Sequence, residues 1–184
     1  MKQGQSRRRK RSQGGNAFIE MSLGFLPFFA LIFGILDFSL AIFINNTLQD
    51  AAREGVRYAI TYNTTYQGTT YASQTLAVRA VVKSFGMGFL TTSNVPTYVK
   101  VNYYLPNNLS TPATGASVPT TVNGVYIQYL NQTGNVVEVQ IQNFPWNWMV
   151  PLGGYMPGTG LTMSSSASDV LQGYPVGTFS PPSP

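Results

Sequence analysis

The sequence predicts an α+β protein: a long N-terminal transmembrane helix continuing into a small domain with one further helix and an antiparallel sheet of about four strands. Three observations lead there. An apolar run from Met21 to Leu36, resuming as Phe38 to Ile44 beyond Asp37, is the segment apolar enough to enter a bilayer. Past Ile44, the opposite charges Asp50–Arg53 and Glu54–Arg57, spaced i,i+3, carry a helical pattern on to Ile60. From Tyr98 onward the apolar pattern changes from helical spacing to alternation.

In chain order, 1–15 is a basic leader, 16–62 a transmembrane and extended helix, 63–172 a folded domain and 173–184 a Pro-rich disordered tail. A helix rises about 1.5 Å per residue and the hydrocarbon layer is about 30 Å thick, so roughly 20 residues cross it. Ala17 to Leu36 and Met21 to Phe43 are both adequate spans, and neither leaves both Glu20 and Asp37 in water. The two acids cannot serve each other, because the helix between them is about 25 Å long. Pro27 removes one helical hydrogen bond and should loosen or kink the span. Gly24 and Gly34 are small positions where another helix can approach closely. Farther on, Leu48, Ala52, Gly55 and Ala59 form a small apolar stripe, opposed by a charged face of Asp50, Arg53, Glu54 and Arg57. Tyr62-Asn63-Thr64-Thr65 and Gln67-Gly68 end the helix.

A second helix is expected from Ser73 to Phe85, with Leu76, Ala77, Ala80, Val81 and Phe85 at helical spacing and Gly86 and Gly88 as its stop. Strands are expected at 98–105, 124–130, 136–144 and, more weakly, 161–171. In the third of these Val137, Val139 and Ile141 face one way and Glu138, Gln140 and Gln142 the other. Asn131-Gln132-Thr133-Gly134-Asn135 is the expected hairpin loop before it.

The chain has 184 residues and a net charge of +5. Six of its eleven basic residues lie in the first 16, where there is no acid, so the charge belongs to the leader. A basic tail before an apolar run is first a topology signal that keeps the N-terminus in the cytoplasm. No second basic patch with aromatics follows it, which argues against nucleic-acid binding. Absence of Cys and His excludes disulfides and Cys/His metal sites. A nucleophile would need Ser with Lys, or a carboxylate pair. Beyond the helix only Glu138 and Asp169 are acidic, and neither sits in an informative pattern. No enzyme activity and no cofactor are expected. A cleaved secretory signal at Ser39-Leu40-Ala41 is disfavoured, because Ile42-Phe43-Ile44 continue the apolar run and Asp37 interrupts it.

The N-terminal stretch is the informative one. Gly15 followed by Asn16-Ala17-Phe18-Ile19-Glu20, behind a basic leader and heading an apolar helix, resembles the cleavage motif of prepilin peptidase substrates. Together with Pro27, Gly34-Ile35-Leu36-Asp37-Phe38 and Ala51-Ala52-Arg53-Glu54-Gly55-Val56-Arg57-Tyr58-Ala59, it resembles the TadE-like family of tight-adherence (Flp-type) pilus systems. The resemblance covers about residues 14–60. It implies a pseudopilin-like minor component, cut between Gly15 and Asn16, with Glu20 and Asp37 acting in assembly and Gly24, Gly34, Ala52 and Gly55 in helix packing. Implied partners are the inner membrane, prepilin peptidase, other pilins or pseudopilins and the assembly platform. The implied location is the bacterial inner membrane, single-pass, with the domain periplasmic or carried to the cell surface in a pilus. Met21 stands where the major Flp pilins carry tyrosine, which argues against a major pilin. The alternative is an unprocessed, single-pass membrane-anchored binding or adhesion module.

Overall fold

The computed structural model describes residues 14–113, 130–148 and 160–173. Helix α1, Gly14–Ala59, runs unbroken through Pro27 for 46 residues, about 69 Å at the usual rise. Its two halves differ in what surrounds them. From Phe18 to Leu36 nearly every side chain is exposed, large apolar ones included. From Asp37 onward one stripe is covered: Asp37, Ala41, Ile44, Leu48, Ala51, Ala52, Gly55, Val56, Ala59. These steps of three and four residues are the spacing of one helix face. The opposite face carries the expected ion pairs, Arg53–Asp50 at 3.6 Å and Arg57–Glu54 at 2.9 Å.

α1 gives way after Ala59 to a turn that closes at Tyr62, whose φ of 56° redirects the chain. A small hairpin follows, β1 (Thr65–Tyr66) with β2 (Thr69–Thr70). Its two-residue loop is Gln67-Gly68, both at positive φ, the tight turn that suits strand twist. The expected helix terminator is thus also a hairpin turn. Helix α2, Gln74–Phe85, is capped by Ser73, whose hydroxyl accepts from the Leu76 amide. It packs alongside α1, with Gln74 donating to the Ala59 carbonyl at one end and Phe89 against Phe43 just past the other. α2 therefore runs back down α1, antiparallel to it. Its buried face is Gln74, Ala77, Val78, Val81 and Val82. Leu76 and Phe85, expected on that face, are exposed instead. Short side chains occupy the contact because α1 offers Gly55 there, and the two helices approach closely. A Cβ added to Gly55 would stand 2.5 Å from a Val82 methyl and 3.3 Å from one of Val139.

After the short helix α3, Val95–Tyr98, come strands β3 (Val99–Tyr104), β4 (Val136–Trp146) and β5 (Leu161–Val170). They form an antiparallel sheet in the order β3-β4-β5. Val99, Tyr103, Val137, Val139 and Ile141 face the core with Met163 and Ser165. Between Ile141 and Phe144 the register slips by one residue, a bulge with Asn143 at φ 52°. The extra residue returns Phe144 to the core face, which strict alternation would have denied it. β5 lies along α1, its start beside Phe38–Asn45 and its end near Tyr62, whose hydroxyl donates to the Gln172 carbonyl. β5 is a paired strand of ten residues, stronger than its Ser-rich sequence indicates. The fold class is the expected α+β, with the strands divided between a hairpin and a separate sheet. Of the strand expected at 124–130, only Leu130 falls within the described residues, where it is part of a turn.

Candidate functional site: the apolar helix and its junction with the domain

Gly14 begins the helix, so the expected cleavage bond between Gly15 and Asn16 lies in its first turn. Glu20 follows one turn later, exposed, and makes no ion pair with any described residue. Around it stand Phe18, Ile19, Met21 and Leu23, between 59% and 77% exposed. A helix apolar on every face and covered on none is what a bilayer requires and what water penalises. Phe25, Phe28, Phe29 and Phe33 form a ladder of ring contacts 5.8–6.2 Å apart along this bare stretch. Gly24 and Gly34 have no described residue within contact distance of where a Cβ would be, so both are open positions on the helix surface.

Asp37 is 3% exposed. It stands four residues before Ala41 and seven before Ile44, at the membrane-side end of the stripe that the domain covers. Its side chain is therefore turned to the domain side of the helix. Ala52 and Gly55, also expected to serve helix packing, are buried against their own chain: Gly55 meets α2 through Val82 and β4 through Val139. Of the four small positions expected for packing, two are open to another molecule and two are occupied from within. The stripe could be traced in the sequence, since the spacing 37, 41, 44, 48, 52, 55, 59 is written there. Which partner fills it could not.

Several described polar groups of the domain bond to one another. Gln74 is buried between Ala59, to which it donates, and Asn131, from which its side-chain oxygen accepts. That bridge ties the end of α1 to α2 and to the turn before β4, a role invisible in the sequence. Tyr104 donates to Glu138 at 2.7 Å on the outer face of the sheet. This bond, with some burial, raises the Tyr104 hydroxyl above its ordinary value. Burial pushes the Tyr103 hydroxyl up to about 12. Asp169 accepts from the neighbouring Val170 amide. Among the described residues no group of three or more acids is placed to hold a metal.

An open cleft of about 340 Å³ lies where β5 leaves the helix, lined by Phe38, Ala41, Ile42, Asn45 and Leu161 to Ser164. It is shallow and mostly apolar, with no polar constellation converging on it.

The family model for TadE-like proteins matches residues 15–57. No curated protein and no solved structure matches the chain. The match covers the apolar half of α1 and the covered stripe almost to its end, and stops before the hairpin, α2 and the sheet. Over residues 15–57 the chain is thus similar to TadE-like proteins, and the match together with the bare apolar helix suggests a membrane-anchored, pilus-associated protein.

Proposed function

We propose that this chain is a minor pilin or pseudopilin that acts in assembly of a tight-adherence (Flp-type) pilus and is cut by prepilin peptidase between Gly15 and Asn16. The observation that carries this reading is a coincidence: the family match begins at residue 15, at the head of a helix that is apolar on all faces and carries Glu20 one turn in. Cleavage would leave a new α-amino group on Asn16 at membrane depth. Glu20 of a neighbouring, axially displaced subunit pairs with it. A lone charge in low dielectric is costly, and breaking such a pair strands its partner, so the pairing sets axial register.

Gly24 and Gly34, open on the bare helix, admit a neighbouring pilin helix at close range. Asp37 contributes differently from Glu20. Turned toward its own domain, it serves assembly by holding the domain at one height and rotation on the helix. The basic leader keeps the N-terminus in the cytoplasm, which makes the domain periplasmic. Partners are other pilins or pseudopilins, the assembly platform of the inner membrane, and the peptidase.

N-terminal sequencing of the protein from cells with an active prepilin peptidase tests the reading. The expected first residue is Asn16. Intact Met1 would remove the processing step and leave a membrane-anchored binding or adhesion module in its place.

A further inference from the structure

We propose that the folded domain does not stand clear of the membrane but rests on it, through an apolar rim whose tip is Met87. The inference rests on the reading of α1 as a membrane span and adds to it a second, lipid-contacting surface.

The argument begins with lengths. If the span starts at Phe18, about 20 residues of helix carry it to Asp37. Asp37 is also where the domain starts to cover the helix. No stretch of bare helix is left over to act as a stalk. Residues 38–43, about 9 Å of helix, then fall in the headgroup layer, which is roughly 5–8 Å deep on each side. Here Phe38, Ile42 and Phe43, at the edges of the face that the domain covers, are still 48–59% exposed, as suits an interfacial environment better than water.

At this height the domain presents its own apolar residues. The ring of Phe89 packs edge-on to Phe43 at 6.3 Å, which fixes the loop after α2 at that level. The loop is Gly86-Met87-Gly88, with Met87 and Gly88 at positive φ. This tight turn thrusts out Met87, 67% exposed, beside Phe85 at 44%. Across the helix, Leu161 at the start of β5 is 42% exposed and lines the cleft shared with Phe38 and Ile42. Large apolar side chains at a loop tip and a strand start have no folding reason to face water. Leu161 joins the apolar surface of the helix through the cleft, and Met87 stands two residues from Phe89, which touches that surface, so the phase that covers the helix is within reach of both.

Charge agrees with this placement. Lys83, two residues before Phe85, and Lys100, which reaches down to the Pro96 carbonyl, are exposed on the rim side of the domain. The described acids of the sheet, Glu138 and Asp169, lie toward its far half, paired in register with Asn102 and Val137. With the paired charges of α1 cancelling one another and Asp37 buried, these two lysines are the described exposed charges nearest the rim, and they match an anionic lipid surface.

The chain has no cysteine, so single labels can be placed at will. Full-length Leu31→Cys, Met87→Cys and Thr69→Cys, each labelled with bimane, would be reconstituted into phosphatidylethanolamine–phosphatidylglycerol vesicles containing lipids brominated near the headgroup or deep in the chain. All three positions are exposed, so labelling leaves the fold intact. Expected are deep quenching at Leu31, shallow quenching with a blue shift at Met87, and neither at Thr69 in the distal hairpin. Quenching at Leu31 with Met87 behaving like Thr69 would overturn the rim contact and leave the anchor standing. No quenching at Leu31 would overturn the anchor and the rim contact with it.

Discussion

Tyr103 shows how one side chain links packing to pH. It is 3% exposed, on the core face of β3, and its hydroxyl is pushed up to about 12 because burial disfavours the phenolate. The unfolded chain ionises it near 10. Its contribution to stability is therefore complete below pH 10 and is lost as pH rises from 10 to about 12. A shift of this size corresponds to about 2–3 kcal/mol. The Tyr103→Phe variant should lose that part of the alkaline decline, checked by denaturant unfolding in detergent at pH 9 and pH 12. An identical decline in both proteins would assign it to other groups, such as Tyr104, whose raised value comes first from its bond to Glu138.

α1 is built from two helices' worth of sequence in one continuous element. Its first part needs apolar side chains on every face, and its second needs one narrow stripe of small ones. Gly55 is the tightest point of that stripe. A larger side chain there must push back both Val82 and Val139, which sit on different elements. Gly55→Leu should therefore destabilise the domain by about 1–3 kcal/mol, the usual effect of overpacking, even though leucine is the better helix former. Urea unfolding followed by the tryptophan signal would measure it. A neutral result would mean that α2 and β4 are not held against α1 as tightly as the distances indicate. The bulge at Asn143 belongs to the same scale. By adding one residue to β4 it keeps Phe144 beside Tyr98, with rings 5.5 Å apart, at the end of the core nearer the bare helix.

At the scale of the whole molecule, the bare helix and the domain can be probed separately. Glu20 makes no ion pair with any described residue of the domain, so Glu20→Ala should leave insertion and folding unchanged. In the proposed pilus it removes the partner of the Asn16 amino group. Loss of a contact worth even about 1.4 kcal/mol is tenfold in an equilibrium. Surface pili should then fall by about tenfold or more, measured by shearing and quantification against the wild type. Unchanged pilus yield with normal membrane levels would remove Glu20 from assembly. Orientation acts at this scale as well. Because α2 returns along α1 and β5 ascends it, the loop after α2 and the start of β5 are brought to one height, where the bare helix begins.

The local pattern of the chain determined its elements. Apolarity without interruption from Met21 to Leu36, ion pairs at i,i+3, Ser73 before a helical run and alternation at Val137, Val139 and Ile141 each act over a few residues, and each was legible. So was the TadE-like stretch, because its motif is contiguous. Tertiary structure alone decided what covers what. The face of α2 moved from Leu76 and Phe85 to Val78 and Val82 because a flat, glycine-bearing partner stood opposite. Asp37 changed from a stray charge in a span to the first member of a buried stripe, and Gln74 became a bridge to Asn131. The physical reason is range: secondary structure answers to neighbours along the chain, whereas burial answers to surfaces that only folding brings together.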